Sequence, residues 1–120
     1  MEILRERRRI RDNIIKEATE WAKTLRFKAT IILIGSYARG DFNKWSDIDI
    51  LLIANLKGNP IQRLKKIDHP PGYQIIPLTP KEFQKIYHKN NPIAREAIKN
   101  GIILRQDINI KNLIKNQNTQ

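Results

Sequence analysis

The sequence predicts an α/β (α+β) fold, a small mixed sheet of three to four strands with helices packed on it. Three observations carry that expectation. Two short apolar runs rich in isoleucine, residues 31–34 and 50–53, are strand-length and bounded by turn residues. An apolar stripe of helical period, Ile14, Ala18, Trp21 and Leu25, precedes them. A third strand-like segment, residues 73–78, follows a Pro-Pro-Gly turn.

The first helix is expected over residues 3–26, with Ile10 extending the stripe one turn back. Arg5, Arg7, Arg8, Arg9 and Arg11 crowd its first turns, where positive charge opposes the helix dipole. Either they serve a protein partner or a nucleic acid, or they form a solvated face with Glu2 and Glu6 as partial counterions. Residues 28–34 make the first strand, almost continuously apolar and therefore central. A short helix is expected from Ser36 to about Phe42, and Phe42 and Trp45 read as packing residues. Along the strand at 47–54, Ile48, Ile50 and Leu52 share one face. Asp47, Asp49, Leu51 and Ile53 share the other, the last two running inward beneath a helix.

Gly58-Asn59-Pro60 breaks the chain, with Pro60 suited to the first turn of a short basic helix. His69 stands in a rigid turn and has no partner at metal-ligand spacing. After the strand at 73–78, Thr79-Pro80-Lys81-Glu82 is a capping box, so Glu82 reads as a cap rather than a catalytic base. That helix runs to Asn90 with Phe83, Ile86 and Tyr87 inward. Another follows over 93–100, stopping at Gly101, and 101–105 forms a small closing strand. These elements make one domain, residues 1–108. Residues 109–120 are polar with little to bury and are expected to fray.

Composition narrows the functional classes. A chain of 120 residues, 40% hydrophobic, suits a soluble globular domain with a single modest core. No apolar run approaches the ~20 residues that span a bilayer, so no membrane partner is expected. The start, MEILRERRRIRDN, lacks the apolar core of a signal peptide. The chain has no cysteine, hence neither a disulfide framework nor a zinc–cysteine site. A cytoplasmic location is the default expectation. The net charge of +11, from 23 Lys+Arg against 12 Asp+Glu, would draw in nucleotides, nucleic acid or an acidic protein surface. It equally suits a heat-stable, soluble chain.

The chemistry concentrates in residues 34–53, IGSYARGDFNKWSDIDILLI. Two carboxylates on one face of a strand, about 7 Å apart along it, repel each other and do nothing for stability. A hard divalent cation such as Mg²⁺ gives a reason for them, because it takes oxygen ligands and is shared between a few carboxylates and substrate phosphates. Gly35 at a strand end lets backbone approach a ligand. Ser36 opens a helix beside unpaired N–H groups that favour anions. Arg39 either reaches a phosphate or pairs with Asp41 or Asp47. Lys44 is a second cation near the carboxylates in sequence. Together these describe a nucleoside triphosphate site.

Gly-Ser, ten residues, then Asp-x-Asp resembles the nucleotidyltransferase signature of the DNA polymerase β superfamily. The fuller text Gly-Ser-Tyr-Ala-Arg-Gly-Asp…Ser-Asp-Ile-Asp is similar to the minimal nucleotidyltransferases (MNT), small proteins often paired with a HEPN partner. The resemblance implies the nucleotidyltransferase fold and Mg²⁺-dependent transfer of a nucleoside monophosphate, with ATP the expected substrate. It assigns Asp47 and Asp49 to catalysis and metal, and Gly35 and Ser36 to the β and γ phosphates. Arg39 it places near the nucleotide. It also implies an acceptor hydroxyl, such as a tyrosine, on a HEPN-type protein, with this chain as antitoxin. One departure stands out. The strand at 73–78 should supply a third carboxylate, yet the facing position is Gln74 or Ile76, and a glutamine cannot take a proton from an attacking hydroxyl. The rival expectation is therefore a degenerate module of the same fold that binds a protein or RNA. A small-molecule transferase would need an extra helical domain for its acceptor. Exposed helix faces leave room for a homo-oligomer.

Overall fold

The computed structural model describes residues 2–115. Its long first helix, α1 (Glu2–Thr24), leads into β1 (Thr30–Ile34), the short α2 (Gly35–Arg39) and β2 (Ile48–Ile53). Then come α3 (Pro60–Leu64), β3 (Tyr73–Leu78), α4 (Pro80–His88), α5 (Pro92–Asn100), β4 (Ile102–Gln106) and α6 (Ile110–Leu113). The four strands form one mixed sheet in the order β3-β2-β1-β4. β1 runs antiparallel to both β2 and β4, whereas β3 lies parallel to β2. The parallel pair needs a crossover, and α3 lies within it.

Strand alternation sorts the apolar residues into two layers. Ile31, Leu33, Ile50, Leu52 and Ile75 face α1, where Ala18, Trp21 and Ala22 cover them. Ile32, Ile34, Leu51 and Ile53 face the other way, against Phe83 of α4 and Ala94 and Ala97 of α5. β1 is buried along its whole length, as a central strand must be. Each aliphatic side chain so enclosed contributes about 1.5–3 kcal/mol. The stripe predicted for α1 meets the core through Ala18, Trp21 and Leu25, while Ile10 stays 38% exposed.

Two buried or half-buried arginines tie the layers together. Arg63 of α3, only 6% exposed, donates from Nη1 and Nη2 to both oxygens of Glu82, at 2.6 and 3.0 Å, and from Nη1 to the carbonyl of Pro77. Glu82 also closes the predicted capping box, accepting from the Thr79 N–H while its own N–H donates to Thr79 Oγ1. Arg105 of β4 donates to the carbonyls of Ala22, Leu25 and Phe27, satisfying acceptors that the end of α1 leaves open.

The polar tail expected from residue 109 does not begin there. Asn109 caps α6 by accepting from the Lys111 N–H, and Ile110 and Leu113 are buried against the α4–α5 layer. Two apolar residues three apart fall on one side of a helical turn, which average composition conceals. The rest of the expected tail, 116–120, lies outside the described residues. Among the described residues, no helix is long and apolar enough to cross a membrane.

Candidate active site

The site is assembled where β1 turns into α2. Ile34 is the extended N-cap, without a side-chain cap bond, and Gly35 begins the helix at φ +77°. Ser36 is therefore its second residue, and its hydroxyl makes no hydrogen bond among the described residues. The helix expected to reach Phe42 stops at Arg39, because Gly40 enters the left-handed region at φ +95° and donates its N–H to the Ser36 carbonyl.

So short a helix needs outside support. Arg11 donates from Nε to the Tyr37 carbonyl and from Nη2 to the Ala38 carbonyl, both at 2.7 Å. Arg7 donates to the carbonyls of Gly40 and Phe42 and lies 4.3 Å from the Phe42 ring centroid. Two of the five clustered arginines thus hold the C-terminal end of α2, where cationic donors are favoured. Of the others, Arg9 pairs with Glu6 at 2.6 Å and Arg5 stands 3.7 Å from Glu2, as the counterion reading expected.

Asp49 lies on β2 directly opposite Ile34 of β1 and Gln74 of β3. Its carboxylate packs so closely on Gly35 that a Cβ at residue 35 would overlap Oδ2. Burial holds its pKa above the ordinary aspartate value, the neighbouring charge of Asp47 adds to that, and Arg39 partly opposes it. Asp47 itself is exposed, one residue before the strand begins.

A cleft of about 590 Å³ opens beside Asp49. Its rim is Gly35 and Arg39 of α2, its floor Ile34, Gln74 and Ile76 of the sheet, and its far wall Pro92, Ile93 and Glu96 of α5. Arg39 projects into it between two carboxylates, donating from Nε to Asp41 at 3.1 Å and from Nη1 to Glu96 at 3.3 Å. The partner expected from sequence proximity, Asp41, is found; Glu96, 57 residues away, is not predictable from local spacing. Both pairs are partly exposed and therefore weak, so a polyphosphate could take the guanidinium over. Lys44 lies outside the cleft lining, with its ammonium 4.6 Å from the Trp45 ring centroid. Phe42 does pack, stacked on Tyr37. Trp45 does not, being 78% exposed, because Asn43 and Ser46 close a hydrogen-bonded turn that leaves it outside the core.

The donor set suits a hard divalent cation. Asp47 lies close enough for its charge to act on Asp49, whose carboxylate is partly desolvated. Among the described residues, no cluster of three or more His, Cys, Asp or Glu gathers at one point. Two protein carboxylates are what Mg²⁺ commonly takes when substrate phosphates complete its shell.

Residues 11–104 match the family profile described as a nucleotidyltransferase domain. The fold is similar to the crystal structure of a Sulfolobus solfataricus protein designated a candidate nucleotidyltransferase. That match has a TM-score of 0.50 at 20% sequence identity and covers 86% of each chain. None of the curated proteins matches the chain.

Proposed function

The chain belongs to the nucleotidyltransferase domain family, and on that footing we propose that it transfers a nucleoside monophosphate, AMP from ATP, to an acceptor hydroxyl. The observation that carries this reading is the contact of Gly35 with the Asp49 carboxylate at the mouth of a cleft that also holds Arg39. Asp47 and Asp49 would hold Mg²⁺, whose contribution there is to neutralise phosphate charge. The N–H groups of Gly35 and Ser36, in the first turn of α2, would cradle the β and γ phosphates. Arg39 would leave its carboxylate partners for the phosphates as charge develops on them. The acceptor oxygen forms a bond to the α phosphorus, the bond from that phosphorus to the β-bridging oxygen breaks, and pyrophosphate departs. The acceptor's proton passes to water or to a group on the partner, since Gln74 cannot take it.

What supports a HEPN-type protein as acceptor, with this chain as a cytoplasmic antitoxin, is the resemblance of residues 35–49 to the minimal nucleotidyltransferases. Gln74 opposite Asp49 favours a second reading, a non-catalytic module of the same fold that binds a protein or RNA. Calorimetric titration of ATP with Mg²⁺ into the wild type and the Asp47→Ala/Asp49→Ala variant separates the two. Binding by the wild type alone supports the enzyme reading, whereas no binding by either leaves the module. Incubation with a co-purified HEPN-type protein and intact-mass measurement then tests the acceptor through the added mass of one AMP.

A further inference from the structure

The N-terminal arginines are the most conspicuous cationic cluster of the sequence, but most of them are engaged. Arg7 and Arg11 donate to carbonyls around the end of α2, and Arg5 and Arg9 face Glu2 and Glu6. The lysines on the other side of the sheet are not. Lys81 and Lys85 of α4, with Lys89 as its C-cap, recur every four residues. That spacing sets them in a row on one face, about 6 Å apart along the axis. All three are exposed, and none forms an ion pair among the described residues. Glu82, the one carboxylate of this helix, is held by Arg63. Lys81 moreover stands in the first turn, where a cation opposes the helix dipole.

A shallow groove of about 390 Å³ follows this row, lined by Lys81, Gln84, Lys85, His88 and Lys89. Every lining residue is polar, and no large hydrophobic side chain of α4 is exposed. A protein partner would need an apolar centre to bury, and the groove offers none. Nor does it hold a Phe, Tyr or Trp on which an unpaired base would stack. Phe83 is buried, and Tyr87 lies under the Arg95 guanidinium. What the groove can meet is a phosphate backbone, with each ammonium serving as a point charge. Between the lysines stand two groups suited to a hydroxyl. The Gln84 amide carries both donor and acceptor, and the buried Nε2 of His88 makes no hydrogen bond among the described residues. The 2′-hydroxyl that such groups would meet belongs to RNA and is missing from DNA.

We propose that the α4 face binds the backbone of double-stranded RNA without reading its sequence. A duplex keeps its bases paired and stacked, so it asks for no aromatic platform. It presents phosphates and 2′-hydroxyls along a wide, shallow minor groove. This surface is separate from the nucleotide cleft, with which it shares no lining residue.

The test is fluorescence anisotropy with a labelled RNA duplex of about 20 base pairs, titrated with the full chain at several salt concentrations. The variants are Lys81→Gln/Lys85→Gln/Lys89→Gln, Lys85→Gln alone, and Arg8→Gln/Lys16→Gln/Lys28→Gln, which removes the same charge from α1 and the loop after it. All change exposed side chains, and thermal melts check their folding. Wild-type affinity should fall roughly thirtyfold or more between about 50 and 200 mM salt. The α4 triple variant should flatten the plot of log affinity against log salt by about three units, and Lys85→Gln by about one. The α1 variant should leave the slope within about half a unit. A DNA duplex of the same sequence should bind at least about threefold more weakly. Four results would overturn the proposal. The RNA duplex could fail to bind at low salt, or the α1 variant could flatten the slope as much as the α4 variant does. The DNA duplex could bind as tightly as RNA, or polyglutamate could displace the labelled duplex as well as unlabelled RNA does, which would mark the face as a site for an acidic protein.

Discussion

Gly35 at the start of α2 and Asp49 of β2, fourteen positions apart in the chain, are in contact, and no side chain fits between them. The glycine is needed twice over, for its φ of +77° and for the space that the carboxylate occupies. Gly40 separates these terms, because it has φ +95° but nothing near the position of a Cβ. Gly40→Ala should cost about 1–2 kcal/mol, the left-handed penalty alone. Gly35→Ala should cost about 2–4 kcal/mol, adding overpacking, and should also weaken Mg²⁺-dependent triphosphate binding by displacing Asp49. Urea unfolding of both variants, with calorimetry of the second, checks this.

Asp49 works against the fold. Its carboxyl is held above the ordinary value of 3.8, first by burial and then by Asp47. The folded protein therefore binds more protons than the unfolded chain just above that pH, so stability falls as pH rises through the window. The penalty is then present in full at neutral pH. Asp49→Asn should raise Tm by a few degrees at pH 7, with the gain vanishing at pH values below 3.8. Mg²⁺ should raise the Tm of the wild type and not of the variant. Scanning calorimetry at two pH values, with and without Mg²⁺, decides it.

Glu82 has the opposite sign. The Arg63 guanidinium, and after it the Thr79 N–H, hold its carboxyl below the ordinary value of 4.5. Its stabilisation is complete above that value and is lost as pH falls through the lowered pKa. Removing one partner of a buried pair costs ~3–5 kcal/mol. Because Glu82 is 44% exposed at its side chain, Glu82→Ala should cost less, about 2–3 kcal/mol at pH 7. Glu82→Gln keeps an acceptor for the Thr79 N–H and should recover part of this. Chemical denaturation between pH 3 and pH 7 should show the wild-type advantage shrinking at the acid end.

The N-terminal arginines are unequal. Arg7 and Arg11 each donate to two carbonyls around the end of α2, whereas Arg8 is exposed. Arg7→Ala and Arg11→Ala should each lose about 1–2 kcal/mol, and Arg8→Ala should stay within ~0.5 kcal/mol. Nucleotide affinity should fall with the first two only, since they hold the helix that carries Gly35 and Arg39. Thermal melts and ATP titrations of the three variants test both statements.

Much of this molecule is local and therefore legible in its sequence. Period-2 alternation places Leu51 and Ile53 under a helix and Ile50 and Leu52 on the opposite face, as found; the structure shows that this opposite face is the one α1 covers. The capping box at Thr79 and Glu82 forms as its spacing dictates. Gln74, one of two candidates for the missing carboxylate position, stands directly opposite Asp49. Trp45 departs from the expectation that a large aromatic residue lies inward, and nothing local shows that the Asn43–Ser46 turn holds it out. Ile110 and Leu113 were hidden in a polar stretch, and only the α4–α5 layer gives them something to bury against.

The sequence by itself determined the strands, the main helices and the two aspartates at the start of β2, Asp47 just before it and Asp49 within it, because backbone periodicity, caps and turns act over a few residues. The tertiary structure alone decided which charges meet. It set Arg39 between Asp41 and Glu96, bound Arg63 to Glu82, spent Arg7 and Arg11 on α2, and brought Ile93 to the wall of the cleft. Ion pairs and cavities depend on distances between elements far apart in the chain, and those are fixed only when the sheet and its helical layers pack.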